Sequence, residues 1–467
     1  GVFGKSGRDW FGILALTGKI LNVRKATIKA IAENRVVADI IQALNIKSGV
    51  DYTDDKNFRT LDYGKIICAS DQDVDGFHIK GLLINIFHYL FPSILERDEP
   101  FFISMETPIA RVFRSKLGDL IFYDEKKYKE WLAQQKGNPK TKYYKGLGTT
   151  HEDDVPDIFG EKMVRYTIDE DTNENMEKAF SKKHITDRKN WLTEYDPANT
   201  DFSLDDGNKV CDLGFSDFIN NILIQYSYAD CERNIPSLID GQKKCQRKIL
   251  YCAKKRKLGY SGKSIKVAQF GGYTAEHSNY HHGEQNLHDT TVGMAQGFPG
   301  KNNIPLLYPD GAFGTRLAGG SDAANARYIY TKMDVLTELI FRQEDEPLLT
   351  PVIDDGDSVE PEFYVPIIPM ILVNGPTAAI GTGWSCSIPN YNPLDLIAGI
   401  KLWLENAGNT QVVDPDSGET NWIYPEFVPW YRGFNGTIEP SGKNRYITRG
   451  IVVNDGLATV SELPIGM

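Results

Sequence analysis

A short buried strand, an acidic turn and an apolar helix follow one another near the start of the chain, and this order limits the folds open to it. The run YGKIICAS (63–70) is apolar enough for a buried strand. The turn DQDVDG (71–76) comes next, and FHIKGLLINIFHYLF (77–91) has the periodicity of a helix. A strand that leads into a helix is typical of α/β folds, so we expect a sheet with carboxylates at its carboxyl edge.

Three aspartates, Asp71, Asp73 and Asp75, alternate within this turn and suggest a cation site. A calcium loop of the EF-hand type follows a helix and needs a Glu at its twelfth position, where this chain has Leu82. At the carboxyl edge of a parallel sheet, three carboxylates repel one another unless a cation neutralises them, and Mg²⁺ prefers a few carboxylates together with phosphate oxygens. We therefore predict a Mg²⁺ site, with a solvated acidic turn as the alternative.

Charge is unevenly distributed along the 467 residues. The net charge of −11 argues against a protein that coats nucleic acid indiscriminately, yet residues 242–266 contain ten Lys or Arg and no acid. Apolar residues within this cationic segment predict a helix packed on one side, with lysines available to a phosphate backbone or simply to water.

The six cysteines lack CxxC pairs, which favours reduced thiols. The chain contains no run of about 18 apolar residues, so its sequence does not predict a membrane span.

Changes of composition divide the chain into four regions. Residues 1–195 combine strands and helices, and 196–214 form a polar, Asp-rich linker. Residues 215–340 alternate helices with glycine-rich loops, and 341–467 contain strands with Pro and Gly turns. The expected fold class is multidomain, with α/β and α+β parts. The chain has no initiator Met and stops in the strand-like SELPIGM, so we expect it to be part of a longer protein.

Two further groups of residues could carry chemistry. Arg327 and Tyr328 stand together after the glycine-rich GAFGTRLAGG. A phenol can attack a phosphodiester when a neighbouring cation such as Arg327 stabilises the charge on phosphorus, although with 23 tyrosines the simple alternative for Tyr328 is packing. The segment 277–286 holds three histidines without the HExxH of a zinc protease. These histidines predict hydrogen bonding to phosphate or proton transfer, or else partners within the fold.

Twelve motifs in order resemble the DNA-cleavage core of type IIA DNA topoisomerases, of the eukaryotic or large-DNA-virus kind. They are LTGKILNVRKA, DQDVDGFHIKGLLIN, KYYKGLGT, AFSKKHITDRKNWL, RNIPSLIDG, QRKIL, KVAQ, YHHGE, FGTRLAGG, RYIYT, PIIPMILVNG and IGTGWSCSIPN. The resemblance runs over essentially the whole chain. Bacterial relatives divide these regions between two subunits, so their presence on one chain favours the eukaryote-like branch.

The resemblance implies three domains. They are a TOPRIM domain with a Rossmann-like parallel sheet and its extension over 1–195, a winged-helix DNA-cleavage domain over 215–340 and the start of an α/β tower domain over 341–467. Tyr328 would be the nucleophile that forms a 5′-phosphotyrosyl link, and Arg327 would stabilise the transition state.

The resemblance also assigns metal and DNA contacts. Asp71 and Asp73 would hold Mg²⁺, and Asp75 would assist a second ion or order water. Arg247 and His282 would lie near the scissile phosphate, and Ile380 would insert between base steps and bend the duplex. The remaining expected DNA-binding residues are Lys19, Asn22, Arg188, Lys189, Lys243, Tyr280 and Asn286.

The implied function is cleavage and resealing of both strands of double-stranded DNA by a homodimer with paired tyrosines. ATP would serve the full-length enzyme in passing a second duplex and would not bind to this part of it. The resemblance implies that a further metal-binding Glu, in an E-G-D-S-A motif, would lie just upstream of Gly1. The expected location is the nucleus, or the cytoplasm if the protein is viral.

Two alternative functions remain open. A TOPRIM-type nuclease or primase would leave Tyr328 without a role, and a non-catalytic DNA-bending protein would not depend on Asp71.

Overall fold

The acidic turn does lie between a strand and a helix in the computed structural model of this chain. The structure describes residues 7, 9–16, 18–114, 118–137, 139–144, 146–197, 202–204, 207–354, 356–413, 420–424, 427–454, 456 and 458–467. Its contacts divide the chain into two compact units, residues 1–230 and 231–467. In the described ranges, no helix is both long enough and apolar enough to cross a membrane.

Among the described residues, the first unit contains ten complete α-helices, and an eleventh begins within it. They are α1 (Ile28–Ala32), α2 (Arg35–Leu44), α3 (Asp55–Phe58), α4 (Val74–Leu90), α5 (Pro92–Leu95), α6 (Glu125–Ala133), α7 (Val155–Ile158), α8 (Thr172–Phe180), α9 (Ile185–Thr193), α10 (Phe215–Asp217) and α11 (Ile224–Asn234) among the described residues. Its strands are β1 (Ile66–Ala69), β2 (Phe102–Met105), β3 (Ala110–Val112), β4 (Leu120–Phe122), β5 (Thr141–Tyr143), β6 (Met163–Thr167) and β7 (Val210–Gly214).

The main sheet of this unit has the strand order β1-β2-β6-β7. The pairs β1/β2 and β6/β7 are parallel, whereas β2/β6 is antiparallel. The β2/β6 pair differs from the Rossmann-like parallel sheet that the family resemblance implied. The reason is the long connection after β2, which forms a separate antiparallel sheet, β4-β3-β5, before the chain re-enters the main sheet in the opposite direction.

The helix after the acidic turn packs into the core of the first unit. Residues 80–87 of α4 are buried, and the turn of π-helix at Phe218–Leu223 packs beside them. Gly81 allows this close approach, because a Cβ there would lie 3.1 Å from the Leu223 side chain and 3.2 Å from that of Phe180. Protein surrounds α4 on most sides, and this explains why most of its surface is apolar.

The boundary expected at residue 214 differs from the division found. Residues 210–214 of the predicted linker form β7, which pairs with β6, and Phe215, Phe218 and Leu223 belong to the same buried core as α4. Residues 198–201 and 205–206 of that linker lie outside the described residues. Apolar burial therefore extends the first unit beyond the predicted linker to residue 230.

The second unit begins with three long helices and a small sheet, the elements of a winged-helix domain. Its helices are α12 (Lys244–Lys255), α13 (Val267–His277), α14 (Glu284–Ala295), α15 (Thr337–Ile340), α16 (Met370–Val373) and α17 (Pro393–Glu405). The sheet is antiparallel with the order β8-β10-β9, formed by β8 (Ile265–Lys266), β9 (Leu307–Asp310) and β10 (Tyr330–Met333). Helix α12 confirms the helix predicted in the cationic segment, because Ile249, Leu250 and Ala253 are fully buried on one side of it.

Five two-stranded antiparallel hairpins complete this unit within the described ranges. They pair β11 (Pro351–Asp354) with β12 (Asp357–Pro361), β13 (Ala379–Gly381) with β14 (Trp384–Cys386), β15 (Gln411–Val413) with β16 (Thr420–Trp422), β17 (Thr437–Pro440) with β18 (Tyr446–Arg449) and β19 (Ile451–Asn454) with β20 (Ala458–Glu462).

Candidate active site

The first part of the candidate site is the acidic turn at the carboxyl end of β1. Asp73 is the N-cap of α4, and its Oδ1 accepts a hydrogen bond of 2.7 Å from the Gly76 N–H. Asp71 is held from the other side, because its Oδ1 accepts a hydrogen bond of 2.7 Å from the Leu147 N–H. Gly146 makes this contact feasible, since its φ is +108° and a Cβ there would lie 2.5 Å from the Asp71 carboxyl carbon. Backbone donors thus orient both carboxylates.

Asp75 has a different environment, one residue into α4. Its carboxylate lies 3.1 Å from the Nζ of Lys19, which also donates to the Tyr226 hydroxyl at 3.1 Å. Burial opposes the charge on Lys19, but the hydrogen bonds and charges of Tyr226 and Asp75 outweigh it and raise the Lys19 pKa. Lys19, one of the predicted DNA-binding residues, is therefore half-exposed and is already paired with Asp75 and Tyr226 in the fold. Tyr226 is a site neighbour that the sequence patterns did not indicate.

The donor set fits a divalent cation that shares its coordination with a substrate. Within the described ranges, no group of three or more His, Cys, Asp or Glu side chains is placed to hold a metal ion. Asp71 and Asp73 each engage one carboxylate oxygen with a backbone N–H, which leaves a second oxygen on each. Mg²⁺ commonly takes one or two carboxylates together with waters and substrate phosphate oxygens. Asp71 and Asp73 thus each keep one carboxylate oxygen that such a cation could share, whereas the Asp75 carboxylate is paired with Lys19.

A buried ion pair lies beneath the acidic turn, and the sequence patterns did not reveal it. The parallel register of β1 and β2 places Ala69 beside Met105, so the residues after each strand share one edge of the sheet. There Lys80 of α4 contacts Glu106 at 2.6 Å, and both side chains are at most 1% exposed. Burial opposes both charges, but each ion stabilises the other, so the Lys80 pKa is raised and the Glu106 pKa lowered. Gln72 also donates to Glu106, which connects this pair to the turn.

The other predicted DNA contacts of the first unit are largely engaged in its own structure. The Asn22 amide donates to the Phe180 carbonyl at 3.1 Å. Arg188 is buried and donates to the Lys178 carbonyl at 2.5 Å. Lys189, next to it on α9, is half-buried. In this structure, Asn22 and Arg188 cap carbonyls at the carboxyl end of α8, a structural role that the sequence did not indicate.

The second part of the candidate site is the end of the loop before β10. Tyr328 is 72% exposed, whereas Ile329 beside it is buried in the core. A turn fixes the backbone, because Tyr328 N–H donates to the Asn325 carbonyl at 2.8 Å, and the Asn325 side chain accepts from the backbone and Nε of Arg327 at 3.2 and 3.3 Å. The guanidinium carbon of Arg327 lies 5.9 Å from the centre of the Tyr328 ring. A phenol and a cation are thus presented together to solvent.

A histidine and a tyrosine from the 277–286 segment lie together on the same unit. The ring of His282 packs edge-on against Tyr280 with 5.3 Å between ring centres, and its Nε2 lies 3.4 Å from the Arg233 guanidinium. The Tyr280 hydroxyl accepts from the Asn286 amide at 2.6 Å, and burial raises the Tyr280 pKa to about 12. These three predicted residues therefore form one polar cluster, in which His282 and Asn286 are exposed and Tyr280 is half-buried.

Arg247 occupies a different environment from the one the sequence suggested. It is only 7% exposed, and its guanidinium donates to the fully buried Asp240 at 2.7 and 3.2 Å and to the Gln242 carbonyl at 3.2 Å. Lys243, the N-cap of α12, lies next to this pair along the chain and stays half-exposed. In this structure, Arg247 holds the 240–243 loop on α12, a role that the sequence did not indicate.

Several lysines of the cationic segment also have acidic partners. Lys244 pairs with Glu232 at 2.6 Å, Lys248 with Glu360 at 2.9 Å and Lys254 with Glu346 at 2.6 Å. The expectation that lysines along this helix are available to phosphate therefore needs correction for these three. Glu346 and Glu360 are far from their lysines along the chain, so no local sequence pattern reveals these two pairs.

Ile380 is the exposed apolar residue at the middle of the β13–β14 hairpin. It is 69% exposed and pairs with Ser385 across the hairpin. Gly381 next to it closely approaches Cys231, since a Cβ there would lie 2.9 Å from the Cys231 Cα. Proteins that bend DNA often insert an exposed apolar side chain between base steps, so the insertion predicted for Ile380 stays a prediction.

Comparison with known families finds a match within each unit. The family of the DNA gyrase/topoisomerase IV A subunits matches residues 233–467, and the C-terminal associated domain of TOPRIM matches residues 105–231. The chain resembles the DNA topoisomerase 2 of Invertebrate iridescent virus 6, at 44% identity over 99% of this chain and 41% of that protein. It also resembles human DNA topoisomerase 2-beta, at 42% identity over 99% of this chain and 28% of that protein.

A solved structure agrees with these sequence matches. The DNA-binding, cleavage and re-ligation domain of Plasmodium falciparum topoisomerase II superposes with a TM-score of 0.79 at 39% identity, covering 99% of this chain and 61% of that one. The fold and the site thus define a TOPRIM-associated region joined to a topoisomerase cleavage region. The chain belongs to the type IIA DNA topoisomerases and corresponds to their cleavage core. This family implies DNA binding and metal dependence, and the chain spans 41% of the length of the iridescent virus protein and 28% of the length of the human protein.

Proposed function

We propose that this chain is the DNA cleavage and religation core of a type II DNA topoisomerase, with Tyr328 as nucleophile. The observation that carries the proposal is the exposed Tyr328 beside Arg327, on a turn that its own backbone fixes. Packing is the default role for most of the 23 tyrosines of the chain, whereas Tyr328 is exposed, next to the cation of Arg327 and the buried Ile329.

The proposed reaction is a transesterification that conserves a phosphodiester bond. The Tyr328 oxygen attacks phosphorus and forms a 5′-phosphotyrosyl ester, the bond from phosphorus to the 3′ oxygen breaks, and a 3′-hydroxyl leaves with the phenol's proton. The reverse attack by the 3′-hydroxyl restores the DNA. Arg327 stabilises the added negative charge at phosphorus through its guanidinium, and the polar cluster of His282 lies on the same unit as a candidate for proton transfer.

The acidic turn supplies the metal function in this proposal. Asp71 and Asp73 would hold Mg²⁺, which when bound stabilises charge on the phosphate oxygens. Asp75, paired with Lys19, keeps a supporting role that orders this side of the turn. The buried pair of Lys80 and Glu106 braces the turn from beneath.

The wider activity belongs to the full-length protein. We propose that it acts as a homodimer, because two strand cuts need two tyrosines, and that ATP drives passage of a second duplex through the break. We also propose that Ile380 bends the cleaved duplex by insertion, and that the exposed residues among Lys19, Lys189, Lys243, Tyr280 and Asn286 contact DNA. A nuclear location, or a cytoplasmic one for a viral protein, completes the proposal.

The decisive experiment traps the covalent intermediate. The full-length protein is incubated with plasmid DNA and Mg²⁺ and denatured with detergent, and DNA attached to protein is measured. Tyr328→Phe should abolish attachment, whereas Tyr330→Phe, a matched change of an exposed tyrosine two residues away, should not. Absence of attached DNA in the unaltered protein would favour a TOPRIM-type nuclease, and attachment that survives Asp71→Ala would exclude the proposed metal site.

A further inference from the structure

The loop that ends in Arg327 and Tyr328 is long and irregular. It runs over residues 311–329, between β9 and β10, without a helix or a strand. Loops longer than about 12–15 residues without secondary structure are uncommon in compact domains and are usually functional. The position of Tyr328 therefore depends on side-chain contacts along this loop.

Internal contacts make the loop a folded unit. The Gln296 amide at the end of α14 donates to the carbonyls of Phe313 and Gly320 at 2.8 and 3.1 Å. The Asp322 carboxylate accepts from the backbone and hydroxyl of Thr315 at 2.7 and 2.8 Å. A displacement of one part of such a loop is transmitted to the rest, because these contacts leave little freedom between its two ends.

Arg316 connects this loop to the hairpins at the carboxyl end of the same unit. Its guanidinium forms an ion pair with Glu462 at the end of β20 and donates to the Leu463 carbonyl at 2.7 Å. Glu462 is buried, and its other oxygen accepts from the backbone and side chain of Asn435 at 3.0 and 3.4 Å. Burial opposes the Glu462 charge, but the hydrogen bonds from Asn435 and Arg316 outweigh it, so the Glu462 pKa is lowered.

We infer that the Arg316–Glu462 ion pair positions the loop 311–329, so that the hairpin region 435–463 determines the position of Tyr328 for DNA cleavage. Arg316 and Glu462 are positioning residues in this scheme and need not touch DNA. The inference rests on the proposed function of Tyr328. It adds that contacts between the hairpin region 435–463 and the loop 311–329 control the position of the nucleophile.

The magnitude follows from the need to place a nucleophile accurately. A displacement of about 1 Å can cost about 100-fold in rate, because reacting groups must approach in line. Arg316→Met should therefore lower the rate of covalent attachment by about 10- to 100-fold, while affinity for DNA changes less than about 2-fold. Because Arg316→Met leaves Glu462 buried without its cation, the double change Arg316→Met and Glu462→Gln serves as the second variant, with the same loss expected.

The test measures attachment rate, religation rate and DNA affinity of the full-length protein, together with its melting temperature. The exchanged pair Arg316→Glu with Glu462→Arg should restore part of the attachment rate, which a general loss of stability would not explain. Arg449→Met removes an exposed ion pair with Glu439 on the neighbouring hairpin and is the matched control, expected to behave as the unaltered protein.

Two outcomes overturn the inference and are separate from failure of the proposed function. If the unaltered protein attaches to DNA through Tyr328 and the Arg316 variants attach equally fast, the loop is positioned without the hairpins. If the double variant loses attachment only in proportion to lost DNA affinity, Arg316 acts in binding rather than in positioning. If the unaltered protein attaches to no DNA at all, the proposed function itself has failed.

Discussion

Removal of the Asp240 carboxylate should destabilise the second unit by about 3–5 kcal/mol, the usual result of breaking a buried ion pair from one side. Asp240 is fully buried and accepts four hydrogen bonds, at 2.7 and 3.2 Å from Arg247, 2.9 Å from Gln242 N–H and 3.0 Å from Tyr364 N–H. Asp240→Ala would leave the Arg247 charge buried without a partner and two backbone donors unsatisfied. Each unsatisfied donor costs about 1–3 kcal/mol, and because such costs are not additive, the range above is the expectation.

Hydrogen exchange measured by mass spectrometry is the assay suited to this prediction. The chain consists of two units, so a single denaturation curve does not report one equilibrium, whereas peptides covering 240–255 report the local opening of α12. A loss of about 3 kcal/mol speeds exchange of protected amides by roughly 100-fold. Asp240→Asn, which keeps an acceptor but loses the charge, should show a smaller increase.

The control and the refuting result are both specific. Glu344→Ala removes the acid of an exposed pair with Arg342 and should leave exchange unchanged, because exposed ion pairs often contribute nothing measurable. If Asp240→Ala leaves protection of α12 as intact as Glu344→Ala does, while attachment to DNA is lost, the buried pair is not structural. Arg247 would then serve the phosphate, as the sequence suggested.

Three other outcomes are expected. Asp71→Asn should abolish Mg²⁺-dependent attachment to DNA while leaving DNA affinity nearly unchanged, which a trapping assay and a binding titration measure together. Burial first, and then the charge of Arg24, lower the His88 pKa to about 4, so the folded state binds fewer protons than the unfolded one, and stability of the first unit should fall as pH drops from about 6.5 to 4; His88→Gln should flatten that slope in an acid-denaturation series. Gly320→Ala, at φ +84° with a Cβ 2.4 Å from a glutamine side chain, should lower both stability and attachment, whereas Gly319→Ala at φ +60° meets open space and should show only a backbone strain of about 1–2 kcal/mol in a melting experiment.

Local patterns predicted the secondary structure around the motifs well. The strand, turn and helix of 66–90 and the one-sided burial of α12 follow from apolar spacing over a few residues, which the sequence displays directly. Tyr328 lies in the turn before β10, where its N–H donates to the Asn325 carbonyl three residues earlier. These features depend on neighbours within one or two turns of chain.

Pairings between distant residues were not predictable in this way. The antiparallel β2/β6 pair, the strand β7 within the expected linker and the contact of Leu147 with Asp71 all join segments far apart along the chain. A parallel sheet was a reasonable expectation from β1 and α4 alone, but the direction of a strand is decided by the connection that precedes it.

The sequence by itself determined which chemistry this protein could perform. It placed carboxylates after a strand and an arginine next to a tyrosine, and its motifs in order indicated the family. The tertiary structure decided which of these groups remain available. It buries Arg247 against Asp240 and pairs Lys248 with Glu360, yet leaves Tyr328 exposed. The physical reason is that a charge is stabilised by its surroundings in space, and those surroundings come from parts of the chain that meet only in the fold.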